Sequence, residues 1–340
     1  MENLHYAVFG TGFWSHFQIA AWNDVGGVDL VAVYNRTVHK AELVAQKFGV
    51  PSVYGDPEDL LRHEKIDFMD IITEIDAHAS LVDLAARYKI PVICQKPMAP
   101  DLETAERMVA ACRTAGIPFF IHENFRWQTP IRAVKGVIEK GEIGRPFRAR
   151  IELISGYPVF KNQPFLGTLE HFIITDLGSH LLDVSRFLFG EARRLYCQTQ
   201  QVHSDIAGED VATILLTMED GTDVLVRMAY AENYLENDSF PQTTLFIEGS
   251  QGSVELASGG WLRTTTKHGT FSERVKSPRY PWADPDYDLV HASIVPCNAN
   301  ILQDLQGQGK AETTAEDNLK TVRLVFASYD SAASGQTRFF

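Results

Sequence analysis

Within the first 122 residues, short apolar runs rich in β-branched residues alternate with stretches of helical spacing. That alternation narrows the possible folds more than any other feature of the chain. The runs fall at 6–9, 28–34, 68–72, 91–94 and 119–122. Helix start and stop signals lie between them: Thr37 before and Gly49 after one stretch, Asp56 with Pro57 before a second, Asp101 before and Gly116 after a third. Runs with so little polar alternation suit strands buried on both faces, the condition of a parallel sheet covered by helices. The chain should therefore be α/β, with a doubly wound parallel sheet over 1–122.

In such a sheet, ligands bind beyond the carboxyl ends of the strands, so the residues just past each run matter most. The first run ends in Gly10-Thr11-Gly12, followed by Phe13 and Trp14 at the start of a helical stretch over 13–22. Glycine allows the tight turn and lets a pyrophosphate approach the bare backbone near a helix N-terminus. The third small position of this fingerprint is Ser15. The second run ends in Asn35-Arg36-Thr37, where an acid would hold the adenosine ribose. With no carboxylate to repel a 2′-phosphate and with Arg36 to meet one, NADP is favoured over NAD. The run at 91–94 delivers Gln95-Lys96-Pro97, which makes Lys96 the candidate catalytic lysine; the plainer alternative is a solvated loop lysine.

From residue 123 the alternation stops, and 123–340 is expected to be a second, α+β domain with an open, mostly antiparallel sheet, its final helix able to pack back on the first domain. A helix over 130–140 and a strand over 147–154 precede a loop holding Tyr157, Phe165 and His171, which should shape a substrate pocket. Strand-like runs follow at 195–202, 211–218, 223–229, 243–247, 253–256 and 261–266, with hairpin turns at 219–222 and 248–252. Two late helices are expected over 286–305 and 314–333. Asp176 and His180 lie four residues apart before a helical stretch that stops at Gly190, so both project from one face if the helix starts early enough. An imidazole that titrates near neutrality beside a carboxylate suits proton transfer. The alternative makes Asp176 an N-cap and His180 an ordinary helix residue.

The net charge of −13, with scattered basic residues, excludes nucleic acid as a partner. The cysteines at 94, 112, 197 and 297 have no metal-binding spacing and read as reduced thiols in a cytoplasmic protein without a bound metal. No apolar run reaches membrane length and no export signal opens the chain. The apolar content of the second sheet favours a homodimer or homotetramer formed through it.

Taken together, the Gly10-Thr11-Gly12 turn, the Thr73 to His78 segment, the Lys96-Pro97 strand end and the Asp176-x-Gly178-x-His180 helix resemble the Gfo/Idh/MocA oxidoreductases in order and approximate spacing. The resemblance implies a Rossmann domain followed by an α/β domain, and hydride transfer between NAD or NADP and a CH–OH group of a sugar, polyol or sugar derivative. It implies that Lys96 contacts the reacting hydroxyl and the nicotinamide ribose, while Asp176 and His180 hold and deprotonate the substrate. Thr73, Glu74, His78, Gln95 and Asn124 would lie along the cofactor, and Arg126 and Trp127 beside the substrate. The proton acceptor is either His180 or Lys96. Two positions depart from the family pattern: Gln95 stands where glutamate is common, and Glu74 where proline is common. An NAD-dependent glycosidase and a non-catalytic dinucleotide-binding regulator are the alternatives, and net reduction of nicotinamide separates them from a dehydrogenase.

Overall fold

Six strands, all paired in parallel, form the sheet of the first unit: β1 (Leu4–Phe9), β2 (Val28–Tyr34), β3 (Ser52–Tyr54), β4 (Phe68–Ile71), β5 (Val92–Gln95) and β6 (Phe119–His122). Their order is β3-β2-β1-β4-β5-β6, the doubly wound arrangement whose ligand crevice lies at the switch point between β1 and β4, beyond their carboxyl ends. The computed structural model describes residues 3–156, 159–161, 163–230 and 243–340. Residues up to Glu123 with Ile294–Val322 make the first unit; Asn124–Ser293 with Arg323–Phe340 make the second. The later segment joins the first sheet at its edge, where the Ile121 amide donates to the Thr313 carbonyl at 2.9 Å.

Strands β4, β5 and β6 are buried along their whole length, which explains their unbroken apolar character. Burying Phe9, Phe68 or Phe120 stabilises the unit by roughly 1.5–3 kcal/mol each. Helices α1 (Ser15–Val25), α2 (Val38–Phe48), α3 (Pro57–His63), α4 (His78–Tyr88) and α5 (Leu102–Ala115) connect the strands. Asp56 and Asp101 cap α3 and α5 as expected, each accepting from backbone amides of the first turn. Left-handed glycines at 49 and 116 end α2 and α5. Thr37 occupies the N-cap position of α2, but its side chain caps nothing. Helix α1 begins at Ser15, two residues later than its spacing suggests. Strand β3 gives no sequence signal, being a three-residue edge strand with half-buried side chains.

The second unit is built on a nine-stranded sheet. Its strands are β7 (Pro146–Ser155), β8 (Ala192–Gln200), β9 (Val211–Met218), β10 (Asp223–Tyr230), β11 (Thr243–Gly249), β12 (Gly252–Ala257), β13 (Trp261–Thr266), β14 (Gly269–Arg274) and β15 (Arg338–Phe339). The order is β14-β13-β12-β11-β7-β10-β9-β8-β15, antiparallel throughout except for the parallel pair β7 and β10. Strand β10 alternates as a half-buried strand should, with Val224, Val226, Met228 and Tyr230 inward. Outward positions carry ion pairs, including Arg148 with Glu248 at 2.6 Å and Arg227 with Glu152 at 2.8 Å. Helices α6 (Thr129–Glu139) and α7 (Ser179–Phe189) belong to this unit, while α8 (Asp288–Leu305) and α9 (Ala315–Ser334) each run from one unit into the other. Strands β14 and β15 lie beyond the runs read from sequence: β14 is exposed along its length and β15 has two residues.

The first turn fixes the geometry of the crevice. Gly10 has φ +104°, and a β-carbon there would lie 2.3 Å from the Ile72 carbonyl oxygen. Gly10→Ala is therefore expected to lower the unfolding free energy by about 2 kcal/mol or more, from backbone strain and displacement of the β4 terminus. Urea unfolding of the variant checks this, and an unchanged midpoint would contradict it.

Candidate active site

At the carboxyl end of β1 the turn is held from below and left open above. The Asn35 side chain accepts from the Thr11 amide at 3.2 Å and donates to the Thr37 carbonyl at 3.0 Å, tying the ends of β1 and β2 together. The Ser15 hydroxyl donates to the Gly12 carbonyl at 2.7 Å, so the serine in place of the third glycine stiffens the turn. Space around Gly12 is empty: a β-carbon built there meets nothing within 4 Å. The hydroxyls of Thr11 and Thr73 are buried with no partner among the described residues. A bare glycine backbone with two orphaned hydroxyls beside it fits a dinucleotide pyrophosphate. Arg36 and Thr37 are exposed beyond β2, while Phe13 and Trp14 pack by their ring edges against Phe17.

At the end of β5, Lys96 is half-buried and followed by a cis peptide bond to Pro97. His78 braces this loop from α4. Its Nδ1 faces the Pro97 and Met98 carbonyls at 3.2 and 3.3 Å, and its Nε2 faces the Thr73 carbonyl at 3.2 Å. Burial pushes its pKa down, with those carbonyls opposing. His78 thus joins the loops after β4 and β5, and Glu74 beside it is exposed.

Beneath Gln95 lies a polar chain that the sequence reading missed. The Gln95 side-chain nitrogen donates to the Gln18 carbonyl oxygen. The Gln18 nitrogen donates to both Asp70 oxygens, at 2.8 and 2.9 Å, and the Trp22 indole donates to one of them at 2.8 Å. Asp70 is fully buried in β4, and burial pushes its pKa up to about 7 against the opposing pull of Trp22 and Gln18. Its signal in the sequence is a lone carboxylate inside the apolar run 68–72.

In the second unit, Asp176 and His180 lie on one continuous helical stretch. Residues Ile174–Gly178 form a π turn that runs directly into α7. Asp176 is therefore not an N-cap, because its own amide donates to the Phe172 carbonyl at 2.9 Å. A β-carbon on Gly178 would approach Met228 and Ile174 to 3.1 Å, so a larger residue there would press the helix off the sheet. Glu209 accepts from the Phe172 and Ile174 amides and from the Tyr329 hydroxyl, and Thr175 hydrogen-bonds the same hydroxyl. The π turn is thereby clamped at its start. His180 is buried and stacks face to face on Phe125 at 3.7 Å between ring centroids.

Three residues at the start of this unit have structural partners where substrate or cofactor contacts were expected. The Asn124 amide bonds Ser293 and the Val290 carbonyl. Arg126 forms a buried two-pronged ion pair with Asp183, at 2.8 and 2.5 Å. Trp127 lies under the Arg132 guanidinium at 3.6 Å. In the loop, His171 is exposed at its edge and stacks on Tyr329 at 4.1 Å, Phe165 is 46% exposed, and Tyr157 lies outside the described residues. Among the described residues no group of three metal-ligating side chains converges, and no helix is long and apolar enough to cross a membrane.

Comparison with known proteins bears on both units. Residues 4–122 match the oxidoreductase family with an NAD-binding Rossmann fold, and 131–255 match the GFO/IDH/MocA C-terminal domain. The chain is 41% identical over 337 residues to a D-apiose dehydrogenase of Rhizobium rhizogenes, covering 99% of this chain and 97% of that one. It is 41% identical to a D-apiose dehydrogenase of Paraburkholderia graminis, covering 97% of this chain and 88% of the other. Among solved structures, an oxidoreductase from Agrobacterium radiobacter in complex with NAD+, L-tartaric acid and magnesium superposes with a TM-score of 0.97 at 41% identity, covering 99% of this chain and 98% of that one.

Asp70 makes stability depend on pH in the direction opposite to a salt-bridged carboxylate. The folded protein keeps its proton up to about 7, whereas the ordinary value is 3.8. Between those values the folded state binds more protons than the unfolded chain, so stability falls as pH rises. Asp70→Asn removes this dependence. The melting temperature of the variant relative to the parent should rise across that interval, by the equivalent of a few kcal/mol, and level off above it. An offset that does not change with pH would show that Asp70 titrates as an exposed aspartate.

Proposed function

The chain belongs to the Gfo/Idh/MocA oxidoreductase family, and on that footing we propose that it is a nicotinamide-dependent sugar dehydrogenase whose substrate is D-apiose. Likeness to a D-apiose dehydrogenase over 99% of the chain carries the substrate assignment. The open backbone at Gly12 with the orphaned Thr11 and Thr73 hydroxyls supports the cofactor end of the reading. Gly10, Thr11, Gly12, Phe13 and Trp14 would hold the pyrophosphate, with Thr73, Glu74, His78 and Gln95 along the nicotinamide half.

Oxidation of a CH–OH group removes a hydride from carbon and a proton from oxygen. Bound nicotinamide supplies the hydride acceptor. The chain's own residues must hold the alcohol and take the proton. Lys96 and His180 are the two groups for that step, and Asp176 orients His180 or a neighbouring substrate hydroxyl. The Phe125 ring keeps the imidazole plane fixed. Phe165 and His171 border the sugar. Asn124, Arg126 and Trp127 serve from behind, Arg126 by holding α7 through Asp183.

For the nucleotide, Asn35 leaves no carboxylate to repel a 2′-phosphate and Arg36 is exposed to receive one, which supports NADP. The outward Leu215, 46% exposed amid the charged face of the second sheet, supports assembly as a homodimer or homotetramer. Four buried cysteines outside any disulfide suit a reducing, cytoplasmic setting.

Lys96→Ala and His180→Ala should each lower turnover on D-apiose by roughly a hundredfold while nucleotide affinity is retained, as expected on losing a positioned acid or base. Stopped-flow absorbance of the nicotinamide, together with nucleotide titration by fluorescence, measures both quantities. Near-normal turnover in either variant removes that residue from the mechanism, and reduction driven by another aldose but not by D-apiose overturns the substrate. Arg36→Ala should raise KM for NADP about tenfold and leave that for NAD unchanged. Equal values for NADP before and after the change would reject the role of Arg36.

A further inference from the structure

We propose that Asp70 is a positioning residue for Lys96: acting through Gln18, it fixes the Gln95 amide with its nitrogen turned inward, so that the carbonyl oxygen is the acceptor left at the end of β5. The inference rests on the reading of Lys96 as a catalytic residue.

Each link in the chain has only one polarity open to it. The Trp22 indole can only donate, and an ionised Asp70 can only accept. The Gln18 nitrogen must therefore face Asp70, which it does with both oxygens in reach. The Gln18 carbonyl oxygen then faces outward and needs a donor, and the Gln95 nitrogen supplies it. What remains of the Gln95 amide is its carbonyl oxygen, one residue before Lys96. Buried amides without a carboxylate would have two equivalent orientations, whereas Asp70 selects one. The glutamate common in the family before this lysine is thereby replaced at a distance. The carboxylate sits two side chains inward, and a carbonyl dipole with its negative end outward takes its place at the strand end.

Among the described residues, no cation competes for Asp70 in this packing. Its titratable neighbours are the Tyr6 phenol on β1 and the Cys94 thiol on β5, both pushed well up by burial and by Asp70, while α1 contributes the uncharged Gln18 and Trp22. The carboxylate is thus stabilised by the two donors named, and the polarity it imposes runs in one direction only, towards Gln95.

A reciprocal exchange tests this. In Asp70→Asn the introduced amide must still accept from Trp22, so its nitrogen faces Gln18. The chain reverses, and Gln95 presents a donor beside Lys96. In Gln95→Glu the new carboxylate claims the Gln18 nitrogen and leaves Asp70 facing an oxygen. In the double variant every donor again meets an acceptor, with the carboxylate moved to the lysine end. Assayed well above pH 7, each single variant should lose about tenfold in kcat with KM for sugar and nucleotide little changed, and the double variant should return to within about threefold of the parent. Urea unfolding of the nucleotide-free proteins gives an independent readout, in which the double variant should recover stability lost by the singles. Recovery of stability with kcat equal in all four proteins would reduce the chain to a structural role, and strictly additive losses would overturn the polarity argument. Lys96→Ala separates the two readings. Turnover surviving in it rejects the lysine assignment, whereas an inactive Lys96→Ala beside an uncoupled cycle rejects only the role of Asp70.

Discussion

The backbone of Gly10 lies so close to the Ile72 carbonyl that no side chain fits between them, and the rest of the first unit is arranged around that approach. It brings the carboxyl ends of β1 and β4 together, with the Ile72 amide bonded to the Phe9 carbonyl at 2.7 Å. The crevice beyond those ends is bounded by Thr11 on one side and Thr73 on the other. Everything that could meet a nucleotide hangs from these two strand ends: Ser15 braces the turn, Asn35 links it to β2, and His78 links the loop after β4 to the loop that follows Lys96. Pre-organisation of this kind means that little ordering remains to be done when a ligand arrives.

Two buried carboxylates show how differently the two units treat the same chemical problem. Asp183 is wholly buried but paired with Arg126 in parallel hydrogen bonds, and Arg186 approaches it at 3.9 Å. Such a pair contributes little net stability, yet removing one partner strands the other and costs about 3–5 kcal/mol. It is best understood as a fixing point for α7, and so for His180 at that helix's first turn. Asp70 is held by the neutral donors of Gln18 and Trp22, and burial, which those donors oppose, keeps its proton on until near neutrality. The first arrangement gives rigidity. The second makes the interior of the sheet responsive to pH.

Much of this was legible in the order of residues, for physical reasons that can be traced. Strands buried on both faces must be apolar throughout, so the parallel sheet announced itself in the runs at 6–9, 68–72 and 91–94. Asp56, Asp101, Gly49 and Gly116 mark helix ends because capping is a local interaction between neighbouring residues. The turn at Gly10 and Gly12 and the spacing of Asp176 and His180 were legible for the same reason. Partnerships distant in sequence were not. Nothing local says that Arg126 will meet Asp183, that Glu209 and Tyr329 will clamp residues 172–175, or that Asn124 will be taken up by Ser293. Asp70 is a lone carboxylate in an apolar run and was passed over, because its meaning depends on Gln18 and Gln95, which lie in other elements. Edge strands such as β3 and β15 are too short and too exposed for any periodicity to develop.

The π turn at Ile174–Gly178 means that the helix bearing Asp176 and His180 contains one residue more than regular α-helical hydrogen bonding would place there. Each residue of an α-helix turns the chain by about 100°. Loss of a single residue from this segment would let its i→i+5 hydrogen bonds contract to the i→i+4 bonds of an unbroken helix, leaving the turns on either side in place while the side chains within the segment are redistributed about the axis. Asp176 lies within that segment, so its direction relative to His180 would change although neither residue had been altered. In this part of the chain, length is as much a determinant of where a side chain points as composition is.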